Sequence, residues 1–393
     1  MKIAPYYQKL LEQGLQAASS LEPITFIGMF DSGVDYLFNL AIPLFEAELP
    51  KDVRPIFLDL SGLTSKEEIE QELSFTISEE LGVKVPDRYQ SLVRMLRVEA
   101  KKNKIVAVLY LGQEGGFDKD FFLFLNRLRN LLGWKFSYVI FATARIWSNV
   151  QQLPIADKIL KRNLVPVRPL TESDARIVLH NYEERYGTNL SAQKQDNIVS
   201  LAGGNPGLTK ALYLQAMYTN DWTNVNFLDE QLYFRLQGIA NDLSIDAQEV
   251  LLGKKKPTDK PLVAYFLTQY GYASVVGQKL APFTDLIVQY LQKFQFQTPK
   301  VVSEKRAKVD SMFLNFTKSQ RKVLEYLKAH AGELVTKDTL AQVLWGDTWA
   351  DRYSDWAIDQ LLSTLREKMT ALKYEGNIVT KKGEGIIFVP EKG

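Results

Sequence analysis

Along the first 150 residues, two apolar periods alternate. Pro5 to Ala18, Val34 to Phe45, Lys66 to Leu81, Tyr89 to Ala100 and Phe121 to Leu132 repeat apolar side chains at helical spacing. Recurrence every three or four positions puts an apolar stripe on one side of a helix. Between these segments lie short apolar runs: Ile24 to Ile27, ending in Gly28, then Arg54 to Leu60, Ile105 to Leu111 and Tyr138 to Thr143. Near-continuous runs of this length are expected of strands covered on both faces. Strands alternating with helices predict an α/β domain with a mainly parallel sheet.

After Arg145 the strand pattern fades. Thr171 with Asp174 three residues on forms a capping-box start for a helix reaching Tyr186. Ala192 to Leu201 and Leu208 to Met217 are helical in pattern, separated by Gly203-Gly204-Asn205-Pro206-Gly207. From Phe227 to Phe294 the pattern stays helical. It is broken by a basic, solvated loop, Gly253 to Pro257, and holds a short β-like piece, Tyr272 to Val276. Helices with a late β element predict a small winged-helix-like unit. Gln295 to Lys308 is polar and charged, as a linker is.

The C-terminal pattern is three helices and a hairpin. Thr317 to Gln320 forms a capping box, and Val323, Leu324 and Leu327 make the apolar face behind it, up to Gly332. Thr336 opens a second helix with Leu340, Val343, Leu344 and Trp345 inward, closed by Gly346. After the loop 347–353, a third helix places Ile358, Leu362, Leu365 and Met369 on one face. A strand at Ile378 to Thr380, a turn through Lys381, Lys382 and Gly383, and a strand at Ile386 to Val389 complete a winged helix.

FTKSQRKVLEYL, VTKDTLAQVLWG, IDQLLSTLREKM and TKKGEGIIF stand in the order and spacing of the motifs of the OmpR/PhoB-type output domain, which this segment resembles. The resemblance implies that the third helix enters the major groove of double-stranded DNA and that the wing approaches the minor groove. The matching positions are Trp356, Ser363, Thr364 and Arg366 on the helix, and Thr380, Lys381 and Lys382 at the wing. The family often carries Arg or His at several of these helix positions, where this chain has Trp356, Leu361, Ser363 and Thr364. Asp351, Asp355 and Asp359 near the helix start repel phosphate, and fewer cations mean less counterion release. Leu361 beside Leu362 predicts one leucine facing outward, which favours docking on a protein instead.

Gly28-Met29-Phe30-Asp31-Ser32-Gly33 follows the first strand with the glycine spacing of a P-loop. Val34 stands where the phosphate-binding Lys would be, and Asp35 where the magnesium-binding Ser or Thr would be. The run IVAVLYL leads into Leu111-Gly112-Gln113, with the nearest acid at Glu114. YVIFATAR resembles the strand ending in Thr-x-Arg of STAND and related AAA+ ATPases, and Gly203 to Gly207 resembles the GGNP element of their helical lid. This second resemblance covers residues 20–295. It implies a degenerate, non-hydrolysing ATPase-like module, and two readings of its glycines stay open: turn and cap geometry alone, or a retained pocket that holds ATP or ADP through Gly28, Gly33, Arg145 and Pro206.

The expected architecture is multidomain α/β plus α: an AAA+/STAND-like P-loop α/β domain (1–150), its helical lid (151–225), a winged-helix-like domain with linker (226–300) and the OmpR/PhoB-type winged helix (301–393). With no Cys and only His180 and His330, neither disulfides nor thiolate or His-rich metal sites are expected. A formal charge of +2 neither demands nor forbids nucleic acid. No apolar run approaches the roughly 20 residues of a membrane span and the N-terminus is unlike a secretory signal, so a cytoplasmic protein without a membrane partner is expected. No catalytic constellation stands out, so the chain is not expected to be an enzyme. Two functions stay open: a DNA-binding transcription regulator with the ATPase-like module as scaffold or switch, and an interaction scaffold whose winged helix docks a protein partner or a second copy. An active STAND-type ATPase is disfavoured by Val34, by Asp35 and by the missing Walker B Asp after IVAVLYL.

Overall fold

The computed structural model describes residues 2–63, 65–84, 90–112, 117, 119–149, 154–218, 225–277, 279–294, 316, 318–345, 355–371, 374–381 and 385–390. Thr317, the linker 295–308, the loop 347–353, Gly346, Gln113, Glu114 and Lys382 lie outside them.

The first half alternates as its pattern predicts: α1 (Pro5–Ser19), β1 (Ile24–Gly28), α2 (Val34–Glu48), β2 (Val53–Asp59), α3 (Lys66–Leu81), α4 (Gln90–Glu99), β3 (Lys104–Tyr110), α5 (Lys119–Leu132) and β4 (Phe136–Thr143). Next come α6 (Ile146–Asn149), α7 (Pro154–Leu160), β5 (Leu164–Val167), α8 (Glu172–Tyr186), α9 (Ala192–Ala202) and α10 (Pro206–Tyr218). Then follow α11 (Glu230–Asn241), α12 (Ile245–Leu251), α13 (Pro261–Gln269), β6 (Ala273–Val276), β7 (Lys279–Pro282) and α14 (Asp285–Phe294). The last elements are α15 (Lys318–Ala329), α16 (Lys337–Trp345), α17 (Asp355–Ala371), β8 (Asn377–Lys381) and β9 (Gly385–Val389).

The five-stranded sheet has the order β2-β3-β4-β1-β5, and β1 runs parallel to both β4 and β5. All residues of β1 and β4 are buried, as continuous apolar runs require. The edge strand β5 is an addition to the sequence expectation. Four residues with Pro166 among them carry little strand signal, but Pro is tolerated at an edge, where one side of the ladder needs no N–H. Tyr6 of α1 sits against this strand: its hydroxyl lies 3.4 Å from Pro166 O and accepts from Arg168 N at 2.8 Å.

The chain forms two compact units that cut across its order, Met1–Leu49 with Val139–Val302, and Pro50–Tyr138 with Ser303–Gly393. In the first, Phe26 of β1 stacks on Phe141 of β4 with ring centroids 5.1 Å apart. The Thr171 hydroxyl accepts from Asp174 N at 3.3 Å and starts α8, as its capping pattern predicts. α11 to α14 with the antiparallel β6-β7 hairpin make a winged-helix-type piece.

In the second unit, α15, α16 and α17 with the β8-β9 hairpin form the C-terminal winged helix around Val323, Leu324, Leu340, Leu362, Leu365 and Phe388. Gly332 N donates to Phe388 O at 2.9 Å, tying the end of α15 to the wing. Phe75 of α3 joins the same apolar cluster. α3 begins with a full capping box between Ser65 and Glu68, and eight of its side chains, Glu68, Glu72 and Phe75 among them, are buried. Among the described residues, no helix is long and apolar enough to cross a membrane.

Candidate functional site

Two places were singled out by sequence, the glycine loop and the C-terminal helix with its wing. The loop runs from the carboxyl end of β1 to the start of α2, the position where open α/β sheets take ligands. Gly33 adopts φ +86, a left-handed conformation that favours glycine, and a Cβ there would run into the Tyr7 ring. The Tyr7 hydroxyl donates to Ser32 O at 2.7 Å. Val34 is buried and Asp35 exposed, so the Lys and Ser/Thr positions offer neither cation nor buried hydroxyl.

Residues from the helical region close over the loop. Phe30 N donates to Asp242 Oδ2 at 2.6 Å, and Asn205 Nδ2 donates to Phe30 O at 2.9 Å. Gly207 N donates to Asp31 O at 3.3 Å, and a Cβ on Gly207 would overlap the Asp31 side chain. Asp31 forms an ion pair with Arg235. Burial raises the Asp31 carboxyl, and the Arg235 charge opposes that rise. Asp242 is only 2% exposed; its Oδ2 also accepts from the Tyr272 hydroxyl at 2.8 Å, while Oδ1 has no partner. Burial pushes this carboxyl up to about 7, against the pull of the Tyr272 and Phe30 bonds and the Arg145 charge. Lys210 is pulled below the usual lysine range, first by burial and then by Arg235 and Arg185.

Chemically, a carboxylate occupies the loop amide that a phosphate oxygen would need, and a second carboxylate holds an arginine of α11. In this conformation the Phe30 amide is not open to a phosphate oxygen. Gly28 and Gly33 bracket the loop. Pro206 opens α10 beside it, and half-buried Arg145 acts on it through Asp242. Sequence reasoning missed Asp242 and Arg235, which carry no local motif. Asn205 lay within the quoted glycine-rich element, and its double role is visible only in three dimensions: it bonds the loop and accepts from Leu208 N to cap α10.

At the C-terminal site, Ser363, Thr380 and Lys381 are exposed. Arg366 donates from Nε to Ile378 O at 2.8 Å and bonds the Thr380 hydroxyl, bracing α17 against the wing. Partial burial lowers the Arg366 guanidinium from its usual value, with Asp359 opposing. Thr364 faces the other way: its hydroxyl donates to Gln71 Oε1 of α3 at 3.0 Å and accepts from Gln320 Nε2 at 3.2 Å. Trp356 lies in α17, and its side chain is outside the described residues. Leu361 and Leu362 are both buried, at 2% and 1% exposure, contrary to the expectation that one faces outward. The reason is α3, whose Phe75 shares their cluster. Lys368, Glu68 and Gln71 were not foreseen.

No curated protein matches the sequence. Among solved structures, a Walker-type ATPase of Pyrococcus abyssi is similar with a TM-score of 0.50 and 14% identity, over 73% of this chain and 94% of that one. Cdc6p of Pyrobaculum aerophilum is similar at TM-score 0.39 and 14% identity, over 100% and 92%. Domain III of the replication initiation protein DnaA of Thermotoga maritima is similar at 0.38 and 14%, over 61% and 95%. The first likeness corrects the expectation that the chain is not an enzyme, which rested on the lack of a catalytic constellation and on Val34 and Asp35 in the glycine loop: the module has an ATPase's fold, and ATP chemistry belongs among the activities to assay. A family model described as "Transcriptional regulatory protein, C terminal" matches residues 311–388. The chain thus joins an OmpR/PhoB-type winged helix, at its C-terminus, to a module with the fold of the Walker-type P-loop ATPases.

Proposed function

We propose that this protein is a cytoplasmic DNA-binding transcription regulator in which the ATPase-fold module controls the C-terminal winged helix. The observation that carries the proposal is the match of residues 311–388 to a regulator's C-terminal domain, folded as three helices and a hairpin. Support comes from the geometry at its outer face. Ser363 is exposed on α17, Lys381 is exposed on the wing, and Arg366 links the two. In this reading Ser363 and Trp356 meet base edges, while Lys381, Lys382 and Thr380 meet backbone. ATP or ADP acts on the other unit as an opener of the contacts that close over the glycine loop, because a phosphate at the Phe30 amide must displace Asp242.

Fluorescence anisotropy with pooled duplex fragments over a salt series tests the DNA reading. Binding that weakens with salt, and a salt slope that falls by about 2 in Lys381→Ala/Lys382→Ala, supports it. No binding at low salt by the folded protein would refute it. Calorimetry with ATP and ADP, followed by a phosphate-release assay, tests the nucleotide part; no heat at millimolar nucleotide removes it.

A further inference from the structure

α3 and α17 meet through residues that an isolated winged helix would have no cause to bury. Lys368 of α17 is 9% exposed, with its ammonium 3.1 Å from the Glu68 carboxylate and 3.1 Å from Gly62 O. One turn earlier, Thr364 donates to Gln71 at 3.0 Å. Phe75, 3% exposed, sits in the cluster of Leu361 and Leu365. Positions 361, 364 and 368 share one helix face, since steps of three and four do. Ser363, Glu367 and Thr370 are exposed on another. The covered face includes Leu361 and Thr364, two of the positions at which the resemblance puts groove-side residues. A major groove is about 12 Å wide, and one helix with its side chains fills about 10–12 Å. With α3 packed against it, α17 cannot present the side that carries Leu361 and Thr364 to a groove.

We infer that α3 is a built-in cover for the groove-entering helix, and that the arrangement described is a DNA-excluding state which opens when α17 leaves α3. The inference rests on the DNA-binding reading above. Two observations favour a reversible cover over a permanent core. The Lys368–Glu68 pair is removed from water, which offsets much of its attraction. Gln71 Nε2 is buried without a partner, a further cost of the closed state. The cover is nonetheless chemically matched, apolar against apolar and cation against carboxylate, so it recognises α17 specifically.

The test uses the full chain and two uncharged changes confined to α3, Phe75→Ala and the milder Phe75→Leu, which leave every winged-helix residue in place. Anisotropy on pooled duplexes should show binding at least about tenfold tighter for Phe75→Ala, a smaller gain for Phe75→Leu, and an unchanged salt slope for both. Thermal melts identify a variant that fails to fold; in that event Phe75→Leu carries the comparison. In the unaltered protein, DNA should speed hydrogen exchange of residues 66–81, whose cover partner has left. Affinity unchanged in the folded variants, or exchange in 66–81 unmoved by bound DNA, overturns the cover while leaving the DNA reading intact. No binding by the protein or either variant overturns the DNA reading, and the cover with it.

Discussion

Asp242 offers a perturbation whose size can be worked out beforehand. Its carboxyl is fully enclosed and displaced from the ordinary 3.8 to about 7. In the unfolded chain it ionises near its ordinary value, so between about pH 4 and 7 the folded protein holds a proton that the unfolded chain has lost. Stability therefore falls as pH rises through this window and levels off above about 7. A displacement of about 3 in pKa corresponds to roughly 4 kcal/mol. Asp242→Asn keeps an oxygen for the Phe30 amide but cannot ionise. The variant should match the parent near pH 4 and become the more stable protein at pH 8, by up to about 4 kcal/mol. For a unit of this size that is roughly 10 °C in melting temperature. Calorimetric melts of both proteins at half-unit pH steps measure the difference directly, because titrations common to both cancel. A difference that stays flat from pH 4 to 8, or grows in the opposite direction, would refute the assignment of Asp242 as a buried, reluctantly ionised anchor of the loop.

Three other changes probe the same physics. Gly33→Ala should cost about 2–3 kcal/mol in urea unfolding, from the left-handed backbone and the crowded Tyr7 ring; a cost below about 0.5 kcal/mol would contradict this loop geometry. Arg235→Met leaves the Asp31 carboxylate without its cation and should cost about 2–4 kcal/mol, discounted for side-chain exposures of 13% and 22%. Adding Asp31→Asn should recover most of it, whereas strict additivity would show that the pair does not interact. Arg366→Met removes the brace to Ile378 O and Thr380 and should cost about 1–2 kcal/mol, with faster hydrogen exchange along β8.

Features encoded within one turn or one strand were readable in the sequence. The parallel strands announce themselves as unbroken apolar runs, and the Thr171 cap is a three-residue pattern. The last domain shows four ordered motifs. Features made by distant residues were not readable. Phe30 and Asp242 are 212 positions apart, and Thr364 and Gln71 are 293 apart. No local period records either pairing. Leu361 was misjudged for that reason: Leu362 lies on the domain's own apolar face, and the cluster that holds Leu361 also takes in Phe75 of α3, far off in sequence. β5 escaped notice because four residues with a proline at the third lack the alternation and length that mark a strand. The glycine loop showed what it lacks, Lys and Ser/Thr, but not what fills it.

The edge of the sheet at β5 bears on how the protein behaves in a crowded solution. An open edge offers a row of unpaired amides and carbonyls to which another chain can add a strand, the usual route to aggregation. Here Pro166 has no amide to offer, and the Tyr6 hydroxyl engages the carbonyl of Pro166 and the amide of Arg168. One proline and one phenol thus blunt the β5 edge. At this edge a contact between the first helix and a four-residue strand stands where a further strand could add.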